Sequence, residues 1–385
     1  MRFRFMGLAL CAAAVLSGCQ AARLNPPEDR AISADQDVVV DDAELVVVTP
    51  SPTAARSLLT KAVPLGYQLI ARENLEGLSL TMLTLKIPAN QDGASAIREL
   101  EQLEPSVTAG VNHAYTPQRG SSSQSAREYA PQLMQWSQSG CLPQSSIGVL
   151  DSRLTGPARV KTITADFSRG QGSEEALHGT QVVSLFQLSG LLKTPRIYHA
   201  DVVSAHATLG DTASVDSMVR GLNWLMTRNV KVINISLAGP YNKIIDRAFA
   251  NAERKGAIMI APAGNSGPGQ NVLYPAALGS TIAVTAIDAD KRVYRKAVRG
   301  QKIDFSAPGV DVSVRLPSQD VYVTGTSFAA PFVTMRIAAD PRLVSMRSAA
   351  SVKRALARSA TDLGADGHDP VYGFGLISAP AACRA

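Results

Sequence analysis

The sequence has 385 residues, of which 45% are hydrophobic and 18% charged, and this composition excludes an intrinsically disordered chain and a polytopic membrane protein. The length allows two domains, one of them with a substantial core. The formal net charge is +6, but Lys and Arg are dispersed, which argues against a nucleic-acid-binding surface. Residues 19–118 carry 7 Lys and Arg against 13 Asp and Glu, whereas residues 119–385 carry 29 against 19. An acidic segment therefore precedes a basic one.

The N-terminus has the features of an export signal. Residues 1–18 contain two arginines, a short apolar run and small residues, and the run is too short for a good transmembrane helix. The stretch LSGC (16–19) resembles the bacterial lipoprotein signal, which is cut before a cysteine that becomes lipidated, here Cys19. The alternative is an ordinary signal peptide with a chance cysteine. Gln20 resembles the sorting signal of Gram-negative lipoproteins, so the expected location is the outer membrane, facing the periplasm or the cell surface.

The four cysteines divide into two groups. Cys11 would leave with the signal peptide, and Cys19 would carry the lipid. Cys141 and Cys383 remain as an even pair in an oxidising compartment, which predicts one disulfide. Two unrelated thiols are the alternative.

After a polar tether over residues 19–36, residues 37–118 predict a small α+β domain. Its pattern is strand, helix, two strands, helix and strand, which is the ferredoxin-like split arrangement. The last strand is expected in SVTAGVNHAYTP (106–117). Residues 119–140 lose periodicity and contain a serine run, so they predict an exposed linker.

Residues 141–385 predict the larger domain. Apolar, β-branched runs such as VKVINISLA and AIMIAPAGN alternate with helical stretches. Strands that are buried on both faces and separated by helices indicate a doubly wound, mostly parallel sheet with helices on both faces. The reactive groups of such a sheet gather at the carboxyl ends of its strands.

Four polar residues are expected at the ends of strands or helices in this domain. They are Asp151 in GVLDS, His178 in HGTQVVS, Asn265 in APAGNSG and Ser327 in GTSFAAP. Each also has an ordinary structural interpretation: a turn residue for the aspartate and the asparagine, and a helix N-cap for the serine. Taken together, a carboxylate, an imidazole, a carboxamide and a hydroxyl favour nucleophilic catalysis at the serine.

In their order and local context, these four motifs resemble those of the subtilisin-like serine peptidases, as do VINISLAGP, YPAAL and the closing YGFGLISAPAA. The resemblance implies that Ser327 is the nucleophile, His178 its general base and Asp151 the group that orients the imidazole. Asn265 and the backbone N–H of Ser327 would bind the oxyanion. The implied activity is peptide-bond hydrolysis without a cofactor, and the sequence contains no acidic cluster strong enough to assign a calcium site.

The same resemblance assigns substrate binding to the backbone of two segments, which would line the pocket for the residue before the cut. These residues are Ser236, Leu237, Ala238 and Gly239 in SLAG, and Pro262, Ala263 and Gly264 in PAG. The sequence departs from the family pattern outside the four catalytic positions. The departures are Arg153 and Leu177 at usual glycines, Gln181 at a frequent histidine, and Arg336, either exposed or paired, in a usually apolar helix.

Residues 37–118 resemble the propeptide that such peptidases use as a folding template and inhibitor; an unrelated accessory domain is the alternative. The expected partners are peptide or protein substrates, this propeptide-like domain, and a membrane reached through the lipid. Self-cleavage is expected within residues 114–140. Two other functions remain open at this point: a catalytically silent binding lipoprotein with the same fold, and a ligase or transpeptidase that uses the same site.

Overall fold

A computed structural model describes most of the chain. The described residues are 39–117, 122–123, 129–156, 162–170, 177–188, 190–316 and 320–384, with only the backbone at 122–123 and 187–188. The predicted signal peptide (1–18), its lipidation site Cys19 and the tether (19–36) lie outside these ranges. Within the described ranges, no helix combines the length and hydropathy needed to cross a membrane.

The N-terminal domain has the predicted β-α-β-β-α-β order. Its elements are β1 (Glu44–Thr49), α1 (Pro52–Ala62), β2 (Gln68–Leu75), β3 (Leu80–Lys86), α2 (Gly93–Leu103) and β4 (Thr108–Val111), with a 3-10 turn at Val63–Leu65. The strands form an antiparallel sheet in the order β2-β3-β1-β4. Both helices begin at a side-chain cap, because Ser51 accepts from Ala54 N and Asp92 accepts from Ser95 N. One face of the sheet packs on the helices through Leu45, Val47, Leu58, Leu83, Leu85, Ile97 and Leu100.

The predicted last strand of this domain is in fact two strands with different partners. β4 pairs with β1, but β5 (Ala114–Pro117) leaves this sheet after Asn112 and His113. It joins a second sheet in the order β10-β11-β5-β13, formed with β10 (Val203–His206), β11 (Gly210–Ser214) and β13 (Leu237–Ala238) of the larger domain. The N-terminal domain therefore ends inside a sheet of its neighbour.

The prediction of an exposed linker over residues 119–140 is wrong from Tyr129 onward. Residues 130–133 form α3 (Ala130–Leu133), and the side chains of Ala130, Met134 and Trp136 are buried. The Tyr129 hydroxyl donates to the carbonyls of Ile287 and Val310. The apolar side chains explain the difference, because this segment covers part of the core of the larger domain.

The larger domain is built on seven parallel strands in the order β16-β15-β14-β12-β7-β9-β8. They are β7 (Ile147–Asp151), β8 (Thr162–Asp166), β9 (Ile197–Asp201), β12 (Val232–Ile235), β14 (Ile258–Pro262), β15 (Thr281–Ile287) and β16 (Phe305–Pro308). The predicted parallel sheet is confirmed. A smaller antiparallel sheet contains β6 (Ser122–Ser123), β17 (Val312–Arg315) and β18 (Asp320–Val323).

Helices cover both faces of the seven-stranded sheet, as predicted. They are α4 (His178–Leu188), α5 (Val215–Thr227), α6 (Lys243–Arg254), α7 (Thr326–Ala338), α8 (Pro341–Val344) and α9 (Ala349–Ala357), followed by a 3-10 turn at Ala381–Cys383. One core cluster contains α4 and α7 through residues such as Phe186 and Phe332. The other contains α5 and α6 through residues such as Leu222 and Phe249. All thirteen residues of α7 are buried, which fixes the helix that carries Ser327.

The two domains contact each other through apolar side chains, since Leu78 and Met82 share a buried cluster with Leu222 and Phe249, and through charged side chains of opposite sign. The pairs are Glu44–Arg169 at 2.7 Å, Glu73–Arg220 at 2.8 Å and Glu101–Lys243 at 2.6 Å, with the acid from the N-terminal domain in each case. Both arginines also bind the buried carboxylate of Asp216. Burial by itself would raise the pKa of Asp216, but Arg220 and Arg169 lower it below its usual range.

Candidate active site

Asp151 and His178 form a buried hydrogen-bonded pair. Asp151 is the last residue of β7 and His178 the first of α4, so the carboxyl end of a strand faces the start of a helix. Nδ1 of His178 lies 2.8 Å from Oδ1 of Asp151, and the residues are 2% and 0% exposed. Since a carboxylate accepts, Nδ1 carries the proton and donates, which leaves Nε2 as the basic nitrogen. Nε2 is buried and has no partner among the described residues.

Ser327 is the second residue of α7 and is fully buried. The helix N-cap is Gly325, which makes no side-chain cap, so the N-cap interpretation of Ser327 is wrong. At this position the backbone N–H groups have no partner inside the helix, and the helix dipole favours negative charge. The hydroxyl donates to the carbonyl of Ser236 at 3.4 Å. Phe328 follows Ser327 in α7, and its ring centroid lies 5.5 Å from that of His178.

Asn265 lies beside the first turn of α7. Its Oδ1 accepts from the backbone N–H of Thr326 at 3.1 Å and from the Thr326 hydroxyl at 2.9 Å. These two donors fix the orientation of the carboxamide, because only its oxygen can accept from a backbone N–H. Its nitrogen is therefore the donating end of the carboxamide, and an oxyanion site requires a donor. Asp151, His178, Asn265 and Ser327, predicted from separate motifs, thus contribute to one site.

The two predicted substrate-binding segments lie at this site. Pro262, Ala263 and Gly264 lead from the end of β14 to Asn265. Ser236 contacts the nucleophile directly, and the next two residues form β13, which pairs antiparallel with β5: Leu237 with Pro117 and Ala238 with Thr116. The strand that is expected to bind substrate is therefore already paired with β5 of the same chain.

Tyr115 anchors β5 in this position. It is fully buried, and its hydroxyl donates to the carbonyl of Pro240 at 2.9 Å. Burial raises the pKa of this phenol, so it stays protonated and able to donate. A Cβ atom at Gly239 would come within 2.7 Å of the Tyr115 ring. Only glycine at position 239 lets the Tyr115 ring approach the substrate-binding strand this closely.

Sequence reasoning missed two residues that position the catalytic groups. Thr326 orients Asn265 and also accepts from Gly264 N at 3.2 Å. Ser152 accepts from Gly179 N at 2.9 Å and so links the strand of Asp151 to the helix of His178. Both are direct sequence neighbours of catalytic residues, within the motifs GTS and LDS, and this adjacency was the available signal.

Ion pairs explain two of the departures from the family pattern, Arg153 and Arg336, and nothing in the structure explains Leu177 or Gln181. Arg153 lies 3.7 Å from Asp201 and 3.9 Å from Asp166. Arg336 is buried and paired with Asp340 at 3.0 Å, which decides between the two alternatives for it. Burial lowers the pKa of Arg336, and Asp340 opposes that effect. Leu177 is 47% exposed beside His178, and Gln181 lies within α4.

Two further observations concern a disulfide and metal binding. Cys141 and Cys383 are disulfide-bonded, with a Cα–Cα distance of 5.5 Å, and the bond joins the beginning and end of the larger domain. In the part of the chain that the structure describes, no group of three or more His, Cys, Asp and Glu side chains is arranged to hold a metal ion.

A buried Asp–His pair, a serine at a helix N-terminus and an oriented carboxamide define the site of a serine peptidase. The model of the subtilase family matches residues 155–375 of the chain. The match covers more than half of the sequence and includes His178, Asn265 and Ser327, while Asp151 lies just before it. The chain belongs to the subtilase family.

Individual relatives agree with this assignment. Subtilisin DY of Bacillus licheniformis is 30% identical over 246 residues, which cover 61% of this chain and 85% of the relative. Subtilisin Savinase of Lederbergia lenta is 30% identical over 216 residues, 54% of this chain and 77% of the relative. The minor extracellular protease Epr of Bacillus subtilis is 28% identical over 210 residues, 52% of this chain but only 32% of the relative.

A solved structure shares the fold. Fervidolysin from Fervidobacterium pennivorans, described as a keratinolytic enzyme related to subtilisin, superposes with a TM-score of 0.68 at 17% sequence identity. The superposition covers 88% of this chain and 60% of fervidolysin. It therefore includes more of this chain than the subtilisins match.

Proposed function

We propose that the protein is a serine endopeptidase whose N-terminal domain inhibits it. The observation that carries the proposal is the hydrogen bond between Asp151 and His178, with Ser327 and Asn265 at the same site. Four groups with matching chemical roles support catalysis far better than any one of them would.

The proposed reaction begins when the Ser327 hydroxyl turns from the Ser236 carbonyl to Nε2 of His178. His178 takes the proton as the serine oxygen attacks the substrate carbonyl, and then passes it to the leaving amine. Asp151 holds the imidazole in the required tautomer and stabilises its cation. Asn265 and the amide of Ser327 bind the oxyanion. Water then attacks the acyl-enzyme. His178 takes a proton from this water and returns it to the Ser327 oxygen as the acyl group leaves.

The N-terminal domain would inhibit because β5 occupies the strand that substrate needs. Its backbone pairs with Leu237 and Ala238, and the buried Tyr115 ring covers Gly239. A peptide substrate binds to such an edge by strand addition, so only one of the two strands can be bound at a time. The three ion pairs between the domains support the same arrangement.

We propose that self-cleavage occurs between Pro117 and Ser122, and two described strands support this position. β5 ends on β13 at Pro117, and β6 begins at Ser122 on β18, which pairs Val323 with Ser122. Ser327 follows β18 by four residues at the start of α7. Both described strands thus pair with segments close to Ser327 in sequence or in contact with it, which supports a narrower cleavage region than residues 114–140.

The precursor is proposed to be a lipoprotein anchored through Cys19 in the outer membrane. After self-cleavage the lipid would stay with the inhibitory domain, and the peptidase would be held only by noncovalent docking. Degradation or dissociation of the acidic domain would then release it.

Labelling with a fluorophosphonate tests the catalytic assignment. Wild-type protein should form one adduct, on Ser327, and should hydrolyse peptide libraries, whereas Ser327→Ala should do neither. Ser345→Ala is a control, because it removes an exposed hydroxyl that donates to the carbonyl of Arg342 outside the site. A folded wild-type protein without an adduct would instead support a catalytically silent binding lipoprotein.

A further inference from the structure

His199 lies next to the catalytic aspartate on the neighbouring strand. β9 runs parallel to β7, with His199 opposite Val149 and Asp201 opposite Asp151. Alternate residues of a strand point to the same face, so His199 and Asp151 share a face as diagonal neighbours. This is the face that packs against α4 and α7, since Ile197 and Val149 belong to the same core cluster as those helices. His199 is only 1% exposed.

Buried polar atoms without partners occur on both residues. Oδ1 of Asp151 accepts from His178 and from Ser152 N at 2.7 Å, but Oδ2 has no hydrogen-bond partner among the described residues. Neither ring nitrogen of His199 has a partner at normal hydrogen-bond geometry within that part of the chain, although the Ser152 backbone lies close enough to raise the pKa of the ring. Buried polar groups in folded proteins are paired directly or through an ordered water. Oδ2 of Asp151 and the ring nitrogens of His199 on the neighbouring strand therefore require an explanation.

The charge states make the two groups complementary. Burial lowers the pKa of His199 to about 4, although the Asp151 carboxylate and the backbone of Ser152 act in the opposite direction. The imidazole is therefore neutral at physiological pH, with one N–H donor and one acceptor nitrogen. An ionised carboxylate oxygen only accepts. A neutral histidine is thus able to satisfy Oδ2 without adding charge to the site.

We propose that His199 is a positioning residue of the catalytic pair, which donates a hydrogen bond, directly or through one buried water, to Oδ2 of Asp151. Oδ1 of the carboxylate would then accept a hydrogen bond from His178, and Oδ2 would accept one from His199. This fixes the plane of the carboxylate and hence the direction of the His178 ring. The inference rests on the proposed function, because it assigns a role in the same reaction.

The other charged groups near His199 favour a neutral donor. α4 brings His178 to this face and has no other titratable side chain. Asp201 and Asp166 follow along the neighbouring strand ends, with Arg153 between them. Burial raises the pKa of Asp201 to about 6, and the charges of Asp166 and Asp151 add to that rise. A further charge here would be unfavourable, whereas a neutral N–H is not.

The test compares three substitutions in the full-length protein. His199→Leu keeps the bulk and removes the donor, His199→Gln keeps an N–H donor, and Ile197→Val is a control in the same strand and on the same face. Rates are expressed per active site titrated with fluorophosphonate, so that misfolded protein does not count. The far-downfield proton resonance of His178 Nδ1–H is recorded for each variant.

The inference predicts that His199→Leu lowers kcat by roughly 10- to 100-fold with little change in KM. It should also move the acid limb of the kcat/KM profile to higher pH, because a carboxylate that loses a donor holds the proton on His178 more tightly. His199→Gln should restore most of the rate, and Ile197→Val should change neither quantity.

Two results would overturn the inference: a His199→Leu variant with unchanged kcat and acid limb, or equal losses in the Leu and Gln variants with an unmoved limb. A wild-type protein without hydrolytic activity would refute the proposed function separately. In that case the downfield resonance of His178 Nδ1–H is the remaining readout that tests the positioning role. A displacement in His199→Leu but not in Ile197→Val supports the positioning role, and an unmoved resonance contradicts it.

Discussion

The core of the catalytic domain and its contact with the N-terminal domain differ in their share of charged side chains. The core around α4 and α7 consists of apolar side chains, and the Cys141–Cys383 disulfide joins the ends of the domain. The domain contact is apolar in part, because Leu78 and Met82 share a buried cluster with Phe249, but it adds ion pairs such as Glu73–Arg220, whose side chains are 36% and 22% exposed. Exposed ion pairs contribute little and respond to salt, whereas a buried apolar core does not. Salt should therefore weaken only the charged part of the domain contact.

The largest effect is expected from the catalytic site. Asn265→Ala should slow turnover by roughly two to three orders of magnitude, because it removes a donor that is needed mainly in the transition state. Thermal unfolding and fluorophosphonate labelling of Ser327 should still report a folded, reactive protein. A turnover rate equal to that of the wild type would refute the oxyanion role.

Loss of the disulfide should lower the stability of the catalytic domain without changing the docking of the two domains. Cys383→Ser should lower the free energy of unfolding of the catalytic domain by about 2–4 kcal/mol, because the bond closes a loop with a sequence separation of 242 residues. Denaturant titration measures this change. Domain docking, followed by the rate of fluorophosphonate labelling, should stay the same. Mass mapping that finds both thiols free would contradict the assignment.

The domain contact should weaken in acid through His113. This residue lies between β4 and β5, with Nδ1 3.0 Å from Nδ2 of Asn242 in the catalytic domain. Burial lowers its pKa from 6.5 to about 4. Separated domains would return the pKa of His113 toward 6.5, so the contribution of neutral His113 to docking is fully present above that pH and is lost as the pH falls through 4. The ratio of the Ser327 labelling rate in the wild type to that in His113→Gln should rise roughly tenfold between pH 7.5 and 5.

His113→Gln provides the control for this pH dependence. Its uncharged side chain fills the same place without titrating, so the labelling rate should vary much less over the same interval. An equally steep dependence in this variant would assign the effect to other groups.

The smallest effect is expected from a single ion pair between the domains. Glu73→Gln should speed labelling only a few-fold, equivalent to at most about 1 kcal/mol, and the difference should shrink at high salt. Glu104→Gln is the matched control, because Glu104 pairs with Lys61 inside the N-terminal domain. Equal effects of the two substitutions would mean that the domain contact does not depend on this charge.

The sequence predicted the places of Asp151 and Ser327 in the fold well, because each has a fixed local context. Asp151 ends an apolar strand, and Ser327 starts a helix after a glycine turn, so the parallel sheet alone brings their ends together. Counting cysteines was enough to pair Cys141 with Cys383.

Other features depend on contacts between distant parts of the chain. The division of the last predicted strand at Asn112 requires β11 and β13, which lie about 100 residues or more further along the chain. The burial of Trp136 requires the C-terminal segment, since it forms a bridge with Arg384. The place of His199 beside Asp151 follows from strand register, which no local pattern specifies.

The most direct test of the account is the mass of the full-length chain after expression. Wild-type protein should appear as two fragments that remain associated, with the break between Pro117 and Ser122, and the N-terminal fragment should carry the lipid. Ser327→Ala should remain one full-length lipoprotein. A wild-type chain that stays intact, anchored and active would contradict the account, because the N-terminal domain would then be neither a self-cleaved segment nor an inhibitor.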